Sequence, residues 1–290
     1  MGAADGAIAL GFDGQVTPLP IGEVWAAVQH EIPVLVPGLV RSTGVLDAVL
    51  EQVFTAVAEV VGANAAERLR AEGIERLHEV CTLEQLGAVL DVVDDRLRVV
   101  GVGFPLEHAL VSATAPALGN RYFARVRLLV RAMVPSRATE DDADPGRFVG
   151  RLHPHAPHRD QEYTSPRRSV SYWGALGPVR AENSMALYPS ADMTAEPIVP
   201  VLDAGDLLLF ADRILHATIP NATDETRVVV QFRMTAGRFV RYGDGTNFHP
   251  YADARIASTR LASAATLQSY VTAAAWRSWW TQHRPRLPRP

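Results

Sequence analysis

The stretch "HPHAPHRDQEY", from His153 to Tyr163, places three histidines and an aspartate within eight residues. His158 and Asp160 stand two apart, so on an extended strand their side chains leave from one face and can converge on one ion. A third ligand has to come from elsewhere in the chain. His216 is the candidate, in "GDLLLFADRILHATIPN", where a Gly-Asp turn leads into an apolar strand and the histidine follows at its far end. Two imidazoles and one carboxylate cover one face of an octahedral ion and leave the opposite face open, the arrangement associated with non-haem Fe(II) oxygenases. Zinc hydrolysis would call for a helical pair such as HExxH, which this sequence lacks. His153 and His155 offer a rival set with His158, but Pro154 and Pro157 disturb the strand geometry it would need and no carboxylate accompanies it.

Arg227 opens the strand "RVVVQFRM" eleven residues past His216, after the polar turn "PNATDET", and the two segments are expected to form a hairpin. Along that strand Arg227, Val229, Gln231 and Arg233 share one face, and Val228, Val230, Phe232 and Met234 the other. The first set suits a polar barrel interior. Arg227 there could grip one carboxylate of a short dicarboxylate such as 2-oxoglutarate while the other end chelates the metal. Gln231 lines the same face; Arg233 and Arg127 are alternative anchors or substrate contacts. His155, Trp173 and Glu182 complete the candidate substrate residues. Of the adjacent Tyr172 and Trp173, one must face the site and the other the packing layer.

These elements have to be held in place. Short runs rich in β-branched and aromatic residues follow Ala117: "RVRLLVRAMV", "RRSVSYWGAL", "SMALYPS", "DLLLF" and "RVVVQFRM", with no helical run between them. Such a series favours an antiparallel barrel or sandwich over a parallel sheet. Upstream, "VLDAVLEQVFTAVAEVV" and "TLEQLGAVLDVV" carry apolar residues at helical spacing. The expected organisation is one domain over 1–290: a helical layer at about 21–97, a jelly-roll core at about 118–245 and a C-terminal helix at about 257–280. The acidic loop bearing Glu140, Asp141, Asp142 and Asp144 precedes the histidines and could act as a lid or simply stay solvated.

His158-Arg159-Asp160, His216 and Arg227, with "ENSMALYPS" and "GDLLLFADRILHATIPN", resemble the Fe(II)/2-oxoglutarate-dependent dioxygenases, in particular the phytanoyl-CoA dioxygenase-like family. The resemblance spans about residues 120 to 240, and "VLVPGLV" is similar to the family's first strand. Ser184 stands where the family has glycine, and "SADM" replaces its glycine-serine-histidine ending. The resemblance implies a double-stranded β-helix, mainly β with flanking helices, that uses Fe(II), 2-oxoglutarate and O₂. It also implies Arg227 as the grip on the distal carboxylate, release of succinate and CO₂, and oxidation of a substrate C–H bond. Asp160 stands where halogenase relatives carry a small residue, which favours hydroxylation or a related oxidation. Desaturation, cyclisation, epimerisation and oxidation at an amine-bearing carbon share the same site. A small molecule of specialised metabolism, such as an antibiotic intermediate, is the expected substrate. A metabolite-binding jelly-roll without turnover and a cupin-like isomerase or dioxygenase independent of 2-oxoglutarate are the other classes.

Composition narrows the field. The 290 residues carry a net charge of −4, 48% hydrophobic and 21% charged residues, so there is no basic field of the kind nucleic-acid binding needs. A single cysteine, Cys81, rules out an intrachain disulfide and a multi-cysteine zinc site. No window reads as a secretory signal or membrane span, so a cytoplasmic protein is expected, without a membrane partner and with a homo-oligomer possible. No phosphate-binding glycine loop or nucleophile elbow appears.

Overall fold

The computed structural model describes residues 6–98, 100–125, 128–139, 152–160, 169–189, 193–236 and 251–253. The expected helix at 257–280, the acidic loop at 140–144 and Arg127 lie outside the described residues.

A hairpin opens the chain, β1 (Ala7–Leu10) and β2 (Val16–Leu19), followed by the helix α1 (Val24–Gln29) and the strand β3 (Val34–Val36). Six helices come next: α2 (Leu39–Ser42), α3 (Val45–Val60), α4 (Ala63–Glu72), α5 (Leu77–Val80), α6 (Leu83–Arg98) and α7 (Val100–Thr114). The strands after them are β4 (Tyr122–Arg125), β5 (Leu129–Met133), β6 (Ser169–Ala175), β7 (Met185–Tyr188), β8 (Leu207–Ala211), β9 (Leu215–Thr218), β10 (Arg227–Ala236) and β11 (Tyr251–Asp253).

These strands form two antiparallel sheets. The large one runs β11-β4-β10-β6-β8-β3-β1-β2, with β5 also paired to β10. The small one pairs β7 with β9 and is widened by bridges from His158 to His216 and from Leu187 to Ile198. From β6 to β10 the chain changes sheet at every step: large, small, large, small, large. That winding is a double-stranded β-helix, with the helices flanking it. It also corrects the expected hairpin: β9 and β10 lie in different sheets. The link between them crosses from one to the other, and Asn221 shapes it by donating from its amide to the Met133 and Glu225 carbonyls at 2.9 and 2.7 Å.

Strand alternation sorts the core in two. Val228, Val230, Phe232 and Met234 of β10, Val170 and Tyr172 of β6 and Leu207 and Leu209 of β8 pack with buried residues of α3, α6 and α7. Val229, Trp173, Leu208 and Phe210 fill the space between the sheets with Met185 and Leu187 of β7. Tyr172 therefore faces the helices, stacked on Phe232 with its hydroxyl 2.8 Å from Thr114, and Trp173 faces the barrel.

The helical layer continues past the expected end near 97 into α7. That helix holds Pro105 within it and follows no clear amphipathic stripe, which is why its sequence gave little sign of it. The β1–β2 hairpin was likewise unanticipated: β2 is mostly exposed, so it lacks an apolar alternation.

Two local devices seat the barrel on the helices. Asp206, of the Gly-Asp turn before β8, accepts the Gly38 N–H at 2.7 Å and the Asp203 N–H at 2.9 Å, tying that turn to the start of α2. At Gly174 a Cβ would lie 2.9 Å from Val40 Cγ2 and 3.1 Å from Val230 Cγ1, so the close approach of α2 to β6 requires glycine. Gly174→Ala should lower stability by about 2 kcal/mol through overpacking. Thermal unfolding measures this, and an unchanged Tm would mean that Val40 moves aside without cost.

Candidate metal centre

The backbone brings His158 and His216 together as a directly opposed cross-strand pair. Each N–H donates to the other's carbonyl at 2.9 Å. The rings lie side by side, with centroids 4.3 Å apart. Each ring then turns the same way, because the His158 Nδ1 lies 2.8 Å from the Ala156 carbonyl and the His216 Nδ1 3.0 Å from the Ile214 carbonyl. A carbonyl can only accept, so both Nδ1 atoms carry the proton and both Nε2 atoms present a lone pair. Those lone pairs face Asp160: its Oδ1 is 3.9 Å from His158 Nε2 and 3.8 Å from His216 Nε2.

One ligand atom from each of the three residues lies within 4.8 Å of the others. Two neutral imidazoles and one carboxylate oxygen, with their orientation fixed by outer hydrogen bonds, suit a divalent ion of the Fe(II) type.

Electrostatics keep the donors in the ligating state. Burial, then His216, pulls His158 down to about 4, and burial lowers His216 as well. Burial works against ionisation of Asp160, but Arg233, His216 and the Ser171 hydroxyl outweigh it and hold the carboxyl well below the usual range. At neutral pH the site is two neutral histidines and a carboxylate. In the metal-free protein proton NMR should show the His158 imidazole titrating near 4 and that of His216 below the ordinary histidine value of about 6.5; titration of both near 6.5 would contradict the buried neutral state. Between about pH 6.5 and about 4 the unfolded chain binds a proton at His158 that the folded chain refuses, so this group removes about 3 kcal/mol as pH falls through that window.

Arg233 contacts the carboxylate from β10. Its Nε donates to Asp160 Oδ2 at 2.8 Å and its Nη2 to Oδ1, while Ser171 of β6 donates its hydroxyl to Oδ2. The strand register explains the convergence, since Arg233 and Ser171 are paired neighbours on β10 and β6. Asp212, just past β8, is a second buried carboxylate that the sequence reading did not single out. Neither of its oxygens has a hydrogen-bond partner of good geometry. Burial, against a smaller opposing effect of the Ser169 backbone, pushes it up to about 7.

Arg227 lies deeper in the same barrel and is 4% exposed. Its Nη1 donates to the Asn183 and Ser184 carbonyls at 2.7 and 2.9 Å, and its Cζ stands 5.3 Å from the Trp173 ring centroid. Its Nε is buried without a hydrogen bond. Burial, then the neighbouring Arg131, pulls it down to about 9, which leaves it cationic at neutral pH.

Among the other candidates, Gln231 is half-buried and paired in register with Trp173. His155 packs its ring on His158 with centroids 3.9 Å apart. Glu182 stands exposed on the short 3-10 turn Ala181–Asn183, and it is its neighbour Asn183 that reaches Arg227. Arg131, across the ladder from Val229, went unremarked because the run "RLLVRAMV" gives no sign of which arginine faces inward.

No family model and no curated protein matches this sequence. Among solved structures the chain is similar to the non-heme alpha ketoglutarate dependent epimerase SnoN from nogalamycin biosynthesis, at 18% identity over 74% of this chain and 82% of that one, with a TM-score of 0.41. SnoN has also been solved in complex with Fe3+, alpha ketoglutarate and nogalamycin RO. This chain is also similar to the non-heme monooxygenase ThoJ, at 16% identity over 79% of this chain and 92% of that one, with a TM-score of 0.39. At such identities and scores the functional reading rests on the site itself. No described helix is long and apolar enough to cross a membrane.

Proposed function

We propose that this chain is a non-haem Fe(II)/2-oxoglutarate-dependent oxygenase that hydroxylates or otherwise oxidises a small molecule of specialised metabolism, such as an antibiotic intermediate. The observation that carries the reading is the convergence of His158 Nε2, His216 Nε2 and Asp160 Oδ1 from one side, both histidines locked in the ligating tautomer, within a barrel that also buries a cationic arginine.

His158, Asp160 and His216 would hold Fe(II), which supplies the redox chemistry that couples oxidative decarboxylation of 2-oxoglutarate by O₂ to oxidation of a C–H bond. The chain's own work is positioning. Arg227 offers a buried cation to the far carboxylate of the keto acid, with Trp173 stacked against its guanidinium and two backbone carbonyls fixing its direction. The apolar wall of Leu208, Phe210 and Val229 keeps water from the space between the sheets.

The test is an anaerobic titration of the metal-free protein with Fe(II) and 2-oxoglutarate, followed by the visible metal-to-keto-acid charge-transfer band. A saturable band supports the reading and opens a substrate screen by succinate release. Its absence in folded protein would turn the reading toward a binding protein or a metal enzyme independent of 2-oxoglutarate.

A further inference from the structure

Arg233 and Asp212 have no place in the function above, yet both are built into the site. Arg233 spends two donors on Asp160, one of them on the same Oδ1 that faces the two histidine lone pairs. A cation taking that oxygen displaces Arg233 from it and sets a guanidinium beside a divalent charge. The displaced group needs another acceptor, because a buried charge without one is costly.

Asp212 can provide it. Its N–H donates to the Ser169 carbonyl at 3.0 Å, which extends the β8 ladder by one residue beyond the pairing of Ala211 with Val170. Counting by twos from Leu208 and Phe210, both between the sheets, puts Asp212 on the inner face at the end of the barrel where Ser171 and Arg233 sit. Asp212 is fully buried and feels the charges of Asp160 and Arg233, and beyond the influence of the Ser169 backbone neither of its oxygens has a hydrogen-bond partner of good geometry. A buried carboxylate with no side-chain partner, one row along the inner face from a two-donor guanidinium, is an acceptor held in reserve.

We infer that Asp212 is the alternative counter-ion of Arg233: in the metal-free protein Arg233 neutralises Asp160, and when a divalent cation binds at His158, Asp160 and His216 the guanidinium passes to Asp212. The inference rests on the metal-binding reading of that triad. Arg233 thus keeps Asp160 compensated and in place before loading, and Asp212 prevents that same cation from opposing the metal afterwards. Both are positioning residues.

Calorimetric titration of the full chain with Co(II), without 2-oxoglutarate, tests it on four proteins: wild type, Asp212→Asn, Arg233→Gln and the double variant. Asp212→Asn should weaken Co(II) binding about tenfold or more, within the range for groups that support metal ligands. Arg233→Gln removes the competitor and should tighten it about tenfold. In the Arg233→Gln background Asp212→Asn should have little further effect. In a parallel Zn(II) titration by NMR, the Arg233 Nε–H resonance should move in wild type and stay in place in Asp212→Asn. Equal losses from Asp212→Asn in both backgrounds would reduce Asp212 to a general electrostatic or structural role and overturn the exchange. So would weaker binding by Arg233→Gln, which also decides the matter if Asp212→Asn does not fold. Wild type that binds no Co(II) overturns the triad reading and the exchange together, whereas wild-type binding with an inert Asp212→Asn overturns the exchange alone.

Discussion

Asp160→Ala is expected to abolish the Fe(II)/2-oxoglutarate charge-transfer band and to weaken Fe(II) binding by more than about 100-fold. Groups that merely support ligands already account for about 10- to 100-fold, and Asp160 is the one carboxylate within 4.8 Å of both histidine donors among the described residues. Its loss leaves two neutral imidazoles facing a cation. Stability should respond less than affinity. Arg233 loses its partner, but by the exchange inferred above the guanidinium passes to Asp212, so the single variant should lose about 1 kcal/mol. Only the double variant, with Asp212→Asn, should approach the roughly 3 kcal/mol that follows from stranding a buried charge. Anaerobic absorption titration and thermal unfolding measure the two quantities separately. Retention of the band in Asp160→Ala would show that another oxygen completes the metal set.

The parts of this site that were legible in the sequence are those set by strand period. His158 and Asp160 two apart, His216 after an apolar strand and the alternation of β10 are local patterns, and the structure keeps Val228, Val230, Phe232 and Met234 on the helix side. The parts that were not legible depend on which strands lie side by side. Arg227, Gln231 and Arg233 all point inward by the same alternation, and only the pairing of Arg233 with Ser171 reveals that Arg233 meets Asp160. The expected β9–β10 hairpin failed for a related reason: in a fold that changes sheet at each strand, neighbours in sequence are not neighbours in a ladder. Asp212 was hidden by its surroundings, since an aspartate in "FADR" reads as a turn residue. The signal was present in the spacing of Leu208, Phe210 and Asp212, which continues the inward series one step past the strand.

Arg227→Gln should separate co-substrate binding from metal binding. Arg227 makes none of the contacts to His158, Asp160 or His216 described above, so affinity for Co(II) alone should stay within about twofold of wild type. The keto acid is another matter. A buried cation aligned by two carbonyls and a tryptophan face needs no rearrangement to bind a carboxylate, and charge-assisted hydrogen bonds of this kind contribute about 1.5–3 kcal/mol each. Losing them should raise the Kd for 2-oxoglutarate about 100-fold, seen as a charge-transfer band that still forms but saturates at far higher concentration. The glutamine amide can still donate to Asn183 or Ser184, so the fold should tolerate the change. If Kd is unchanged while Arg131→Gln raises it, the anchor is the neighbouring arginine on β5. If both variants lose Co(II) binding as well, the two arginines support the barrel wall rather than the ligand, because a true carboxylate anchor acts only once the keto acid is present.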